Sequence, residues 1–172
     1  MPYVFFHDHF PEIGERETRT ILVFEDSALE LLPGEYSLLE MYCDEPGCDC
    51  RRVFFYVVSS SRRKDVEAVI AYGWESREFY ARWLHDDDPA MIRELQGPVL
   101  NPGSQQSELA PAILDAVEGL VLRDQLYIER LKVHYRMFRE KIDRKKPGGS
   151  RRAAPSRKGT ASRKKKKKKR KR

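Results

Sequence analysis

The sequence predicts an α+β domain: an antiparallel meander of about five strands, then three to four helices packed on the sheet, then a disordered C-terminal tail. Three observations carry this. Short apolar runs separated by turn residues fill the first half. Apolar residues at helical spacing, each group preceded by a capping residue, fill the second. From residue 144 onward no Val, Ile, Leu, Met, Phe, Trp or Tyr occurs. Strands followed by helices is the order of a sheet with helices laid against it.

Residues 2–6 are apolar and aromatic and read as the first strand. Residues 18–25 hold Ile21-Leu22-Val23-Phe24 and read as the second. Pro33-Gly34 is a turn signal, and residues 36–42 follow as the third strand. Residues 53–58 are an unbroken apolar run, which suits a strand covered on both faces. Residues 59–64 are polar and turn. Residues 66–72 place Val66, Ala68, Ile70 and Tyr72 on one face. The short connections between these strands favour antiparallel pairing.

Ser76 caps a helix that runs to Leu84. Asp88 precedes Pro89, a capping residue before proline at the first helical position, and opens a helix to about Gln96. Residues 97–106 contain two prolines and two glycines and read as a loop. Ser107 caps a helix whose Leu109, Ile113, Ala116, Val117, Leu120 and Val121 follow helical spacing. Asp124 caps the last helix, to about Lys145, with Ile128, Leu131, Tyr135, Phe138 and Ile142 on its apolar face. The aromatic residues Tyr72, Trp74, Phe79, Tyr80 and Trp83 are expected where sheet meets helix.

Charge divides the chain into two parts, 1–143 and 144–172. The tail holds 17 of the 33 Lys and Arg residues and no acid. The domain keeps the other 16 with all 27 acidic residues, a net charge of about −11 against about +17. A segment with nothing large to bury cannot offset its ordering entropy, so the tail is predicted to be disordered. No stretch approaches the roughly 20 apolar residues that span a bilayer. The N-terminus lacks the basic-then-apolar pattern of a secretory signal. These features predict a cytoplasmic protein that does not insert into membranes.

All three cysteines fall within eight residues, Cys43, Cys48 and Cys50, in the pattern C-x4-C-x-C. Glu45-Pro46-Gly47-Cys48 has the proline and glycine of a type II turn. A strand ending at Cys43 would return as a strand starting at Cys48, and side-chain alternation then puts Cys48 and Cys50 on one face. Three thiols converging in a hairpin point to a metal, and zinc takes four tetrahedral ligands. The candidates for the fourth are His7, His9, His85, His134, Asp44 and Asp49. His134 is favoured because it adjoins the apolar face of the last helix; His7 or His9 comes next. A closed Cys3His site would tie the hairpin to that helix, with Arg51 and Arg52 offsetting its negative charge. The alternatives are three free thiols, a Cys43–Cys48 disulfide, or a thiol-based enzyme or redox or metal sensor using Cys43, Cys48 and Cys50. An odd cysteine count argues against a disulfide framework.

The segment 42–53, Tyr-Cys-Asp-Glu-Pro-Gly-Cys-Asp-Cys-Arg-Arg-Val, resembles the hallmark of a family of uncharacterised bacterial proteins. Tyr72-Gly73-Trp74-Glu75-Ser76 and Leu131-Lys132-Val133-His134-Tyr135 are similar to later parts of it, so the resemblance covers most of residues 35–140. It implies no activity, and the basic tail is not part of it.

The tail ends in Lys164, Lys165, Lys166, Lys167, Lys168, Lys169, Arg170, Lys171 and Arg172. Such a segment binds polyanions through counterion release. It has no aromatic residue to stack on bases and nothing to read base edges, so it predicts non-specific nucleic-acid binding. In a bacterium this means association with the nucleoid or ribosomes; in a eukaryote the same run reads as a nuclear localisation signal. Lys132, Arg136 and Arg139 form a basic stripe on the last helix, read as a solvated face. His7-Asp8-His9 and Asp86-Asp87-Asp88 are read as a strand end and a helix junction. No glycine-rich phosphate loop or G-x-S-x-G motif occurs. The expected function is therefore a zinc-stabilised, non-enzymatic binding or adaptor protein. Its acidic domain would face a protein partner and its tail nucleic acid. A toxin, antitoxin or mobile-element accessory is a third class.

Overall fold

A computed structural model describes residues 3–62 and 66–144. The predicted disordered tail lies outside the described residues, apart from Arg144 in the last helix. In chain order the elements are β1 (Tyr3–Phe5), α1 (Phe6–His9), α2 (Pro11–Glu17), β2 (Arg19–Val23), β3 (Gly34–Cys43), β4 (Arg52–Ser59) and β5 (Val66–Gly73). There follow α3 (Arg77–Leu84), α4 (Pro89–Gln96), β6 (Val99–Leu100), α5 (Ala110–Ala116), a π-helical turn (Val117–Val121) and α6 (Gln125–Arg144). The fold is α+β, as the order of apolar patterns predicts.

Strands β2 to β6 form the meander, each antiparallel to the next. β1 also pairs with β3, opposite residues 41–43, while β2 pairs opposite residues 34–38. The two are thus halves of one edge position, interrupted by α1 and α2. Phe6 ends β1 early because its ring is buried among Phe10, Tyr42 and His134, at centroid separations of 4.9, 6.0 and 4.3 Å. His7 and His9 consequently lie in α1, not at a strand end.

The pair α1–α2 was not legible as helix, since residues 6–17 are too short for a periodic apolar stripe. What permits it is Gly14. A Cβ there would sit 2.6 Å from the His7 Cβ. Gly14→Ala should cost about 1–3 kcal/mol, as overpacking generally does. Urea unfolding measures this, and a change below about 0.5 kcal/mol, the usual size of a neutral surface substitution, would show the two helices free to separate.

The alternation of β3 puts Tyr36, Leu38, Glu40 and Tyr42 on one face. With Val53, Phe55, Val57, Ala68 and Ile70 that face forms the main core, closed by Ile113 of α5, Val117 and Val121 of the π turn, and Tyr127, Leu131 and Phe138 of α6. The opposite face holds a smaller cluster around Phe54, Val69 and Ala71, with Tyr3 against Phe54 at 4.0 Å. The apolar run of β4 is therefore covered on both faces at Val53 to Phe55. Three of the four expected helix caps are present. Ser107 is the exception, because its hydroxyl accepts from Leu109 N–H and α5 starts only at Ala110, with Leu109 at its N-cap and no side-chain cap. The Ser76 hydroxyl accepts from Phe79 N–H, the Asp88 carboxylate from Ala90 N–H, and the Asp124 carboxylate from Leu126 and Tyr127 N–H. Asp86 accepts from Asp88 N–H, so the acidic triplet is a helix junction. No helix among the described residues is long and apolar enough to cross a membrane.

Candidate metal centre

β3 carries the chain to Cys43, which is fully buried beside Tyr3 of β1. The predicted turn is present: Cys48 N–H donates to the Glu45 carbonyl at 3.2 Å, and Gly47 takes φ +78°, a conformation that favours glycine. The returning segment is not the expected strand. Residues 48–51 are irregular, β4 begins at Arg52, and Arg51 sits in the left-handed region at φ +48°. Its guanidinium is clamped by Asp49 at 2.9 and 3.0 Å and by Glu75 at 3.1 Å, and its carbonyl accepts from the Tyr80 hydroxyl. These bonds offset the local backbone strain, which is about 1–2 kcal/mol for an L-residue.

The irregular return still brings the cysteines together. The sulfurs of Cys43, Cys48 and Cys50 lie within 4.8 Å of one another. A tetrahedral zinc with bonds of about 2.3 Å separates its sulfurs by about 3.8 Å, so the thiols need close by at most about 1 Å. Cys43 and Cys50 are sealed from solvent and Cys48 is half-buried. The three cysteines can hold a metal ion, and a set of three sulfurs selects a thiophilic one.

Burial pushes the Cys43 and Cys50 thiols up, Cys50 to about 12, and the neighbouring thiols add to the shift. This is the reverse of the lowered pKa that makes a cysteine nucleophilic. A metal would have to displace these protons, since it binds the thiolate.

His134 is placed elsewhere, which corrects its assignment as the fourth ligand. It is buried, as its position on the helix predicts, but Nδ1 lies 2.8 Å from the Glu40 carboxylate and Nε2 3.3 Å from that of Glu17. Tyr42 also donates to Glu40, at 2.8 Å. Glu40 occupies a core-facing position of β3, and this buried network supplies its partners. The other histidines do not join the thiols either. His7 faces Asp8, His9 packs on Phe138, and His85 ends α3. Asp49 is engaged with Arg51. Among the described residues the group contains the three cysteines and no His, Asp or Glu.

The hairpin is nevertheless tied to α6, by hydrogen bonds. Arg139 donates to the carbonyls of Cys43 at 2.7 Å and Glu45 at 2.9 Å. Asp143 bridges Arg139, at 2.7 Å, and the Gly47 N–H, at 2.8 Å. The Tyr135 hydroxyl stands 3.4 Å from both the Cys48 carbonyl and the Arg51 N–H. Residues 135, 139 and 143 recur every four positions and so form one stripe on the helix. Arg139 is 9% exposed, so it leaves the solvated stripe in which the sequence places it. The available signal was the i, i+4 pair of Arg139 and Asp143 beside an aromatic.

Between hairpin and α6 lies a groove of about 870 Å³, with Cys48 and Arg51 on one side, Trp74 beside them, and Lys132, Tyr135 and Arg136 on the helix side. The Lys and Arg residues at 164–172 lie outside the described residues. No protein-family model, curated protein or solved structure matches the chain.

Proposed function

We propose that the chain is a non-enzymatic binding or adaptor protein, stabilised by a zinc ion on Cys43, Cys48 and Cys50 and held near nucleic acid by its basic tail. The observation that carries the metal part is the convergence of three sulfurs in a hairpin that α6 fixes through Tyr135, Arg139 and Asp143. The raised thiols weigh against the alternative, a thiol-based enzyme or redox sensor. The family resemblance of residues 42–53 is compatible with this reading and adds no activity to it.

Protein purified without added metal should carry about one zinc per chain, as a three-thiolate site implies. Elemental analysis decides it. Less than about 0.2 metal per chain would overturn the reading, as would metal retained after Cys48→Ser and Cys50→Ser together.

The tail supports the nucleic-acid part through composition alone. Its charge of about +17 faces a domain of about −11, so polyanion binding falls to the tail and a cationic protein surface would suit the domain. Affinity for duplex DNA and for RNA should fall by about a thousandfold or more between about 50 and 200 mM salt, with little dependence on sequence. Fluorescence anisotropy with unrelated oligonucleotides measures both. A variant ending at Asp143 that binds equally well would remove this role from the tail. The compartment that fits this reading is the cytoplasm, with nucleoid or ribosome association.

A further inference from the structure

Among the described residues three protein donors lie within 4.8 Å of one another, the sulfurs of Cys43, Cys48 and Cys50, and a groove lies beside them. Asp44, whose buried Oδ1 has no hydrogen-bond partner among the described residues, is not in this group. Zinc and similar ions complete a four-donor shell. The imidazole first expected to do so is held by Glu40 and Glu17, and Asp49 is held by Arg51. Cys43 and Cys50 are closed off, at 0% and 1% exposure. Cys48 is the cysteine that lines the groove. An incoming donor therefore reaches the metal from the groove side, past Cys48.

The groove states what such a donor carries. Its volume of about 870 Å³ lies within the range of small-molecule sites, about 300–1,000 Å³. Trp74 packs edge-on to Tyr135 at 5.3 Å and gives it an apolar wall. Most of its cations are already engaged: Arg51 by Asp49 and Glu75, Lys132 by Glu129, Arg139 by Asp143 and the hairpin carbonyls. Arg136 differs. It is exposed on α6, lines the groove, and has no ion pair or hydrogen bond among the described residues. A free guanidinium is a bidentate carboxylate receptor. A centre built from three sulfurs selects thiophilic ions, for which a fourth sulfur is the matching donor.

We propose that the metal on Cys43, Cys48 and Cys50 keeps its fourth position open to this groove, and that the position is filled by a small thiol bearing a carboxylate. The thiol sulfur coordinates the metal, its proton passes to solvent, and the carboxylate pairs with Arg136. No bond within the ligand breaks and no electron is transferred. This rests on the metal reading above and turns the centre from a closed staple into a ligand-responsive one.

The test uses the full chain loaded with cobalt(II), whose visible bands report the donor set, with metal content measured after every addition. The probes are 3-mercaptopropionate, 2-mercaptoethanol and propionate. The expected result is a saturable spectral shift with 3-mercaptopropionate at unchanged metal content. 2-Mercaptoethanol should bind about tenfold more weakly, the scale of one charge-assisted bidentate contact, and propionate should not shift the bands at all. Arg136→Gln, an exposed change, should remove the preference for the carboxylate while leaving metal content alone. Four outcomes overturn the proposal: a loaded protein whose spectrum no thiol changes, equal affinity for the two thiols, loss of metal on thiol addition, or an Arg136→Gln protein that keeps the preference. The metal reading survives each of these. Failure of cobalt to load defeats both, so the two are told apart by the metal content alone.

Discussion

Arg139→Ala is expected to destabilise the domain by about 3 kcal/mol, the upper end of what a hydrogen bond to a charged group contributes. The guanidinium is 9% exposed and holds the carbonyls of Cys43 and Glu45 and the Asp143 carboxylate. Removing it leaves the buried Cys43 carbonyl without this donor, and hydrogen bonds to charged groups contribute about 1.5–3 kcal/mol each. Lysine should restore little, because an ammonium lacks the planar fork that spans two carbonyls and a carboxylate. The same variant should bind metal more weakly, because Arg139 fixes the strand end that carries Cys43. Urea unfolding of chelator-treated protein isolates the first effect, and metal titration of the same variant reads the second. A loss below about 1 kcal/mol, the scale of an exposed ion pair, would show that Arg139 acts as a surface residue after all.

Metal removal is the second large effect. A ligand at about a thousandfold its Kd adds about 4 kcal/mol to stability. For a domain of this size each kcal/mol moves Tm by about 2–4 °C, so stripping the metal should lower Tm by about 8–16 °C. The chelated protein should still unfold cooperatively, since its core runs from Tyr36 and Phe55 to Leu131 and Phe138 and contains none of the three cysteines. The pH dependence has a definite sign. Cys43 and Cys50 have raised thiols, so the free protein keeps them protonated at neutral pH and binding must expel those protons. Release of the Cys43 and Cys50 protons lowers metal affinity about a hundredfold per pH unit of acidification. In the metal-free protein the stability that the buried neutral thiols contribute is fully present below about pH 8.5, where an unfolded cysteine begins to ionise. It is lost as pH rises towards about 12. Calorimetry with and without chelator, at several pH values, tests all of this; a Tm unchanged by chelation of metal-bearing protein would remove the stabilising role.

The strands from β2 to β5, the caps Ser76, Asp88 and Asp124, the glycine turn at Gly47 and the clustering of the three cysteines were all legible in the order of residues. Each rests on chemistry spanning a few positions: alternation, a hydroxyl or carboxylate meeting the first free N–H groups, proline and glycine in a turn. The helices α1 and α2 were not, because Phe6 leaves the sheet for a pocket made by Tyr42 and His134, far along the chain.

The partners of α6 show the same division most clearly. Periodicity puts residues 131, 134 and 138 on the inward face, and His134 is indeed buried. It cannot say where along the helix the hairpin is met. From residue 134 to 139 a helix advances about 7.5 Å, enough to exchange one partner set for another. The crossing of α6 over β3 sets His134 above Glu40 and leaves Tyr135, Arg139 and Asp143 for the hairpin. The residues that can bind a metal were therefore written in local spacing. What holds them depends on how a distant helix packs across the sheet, which local spacing does not encode.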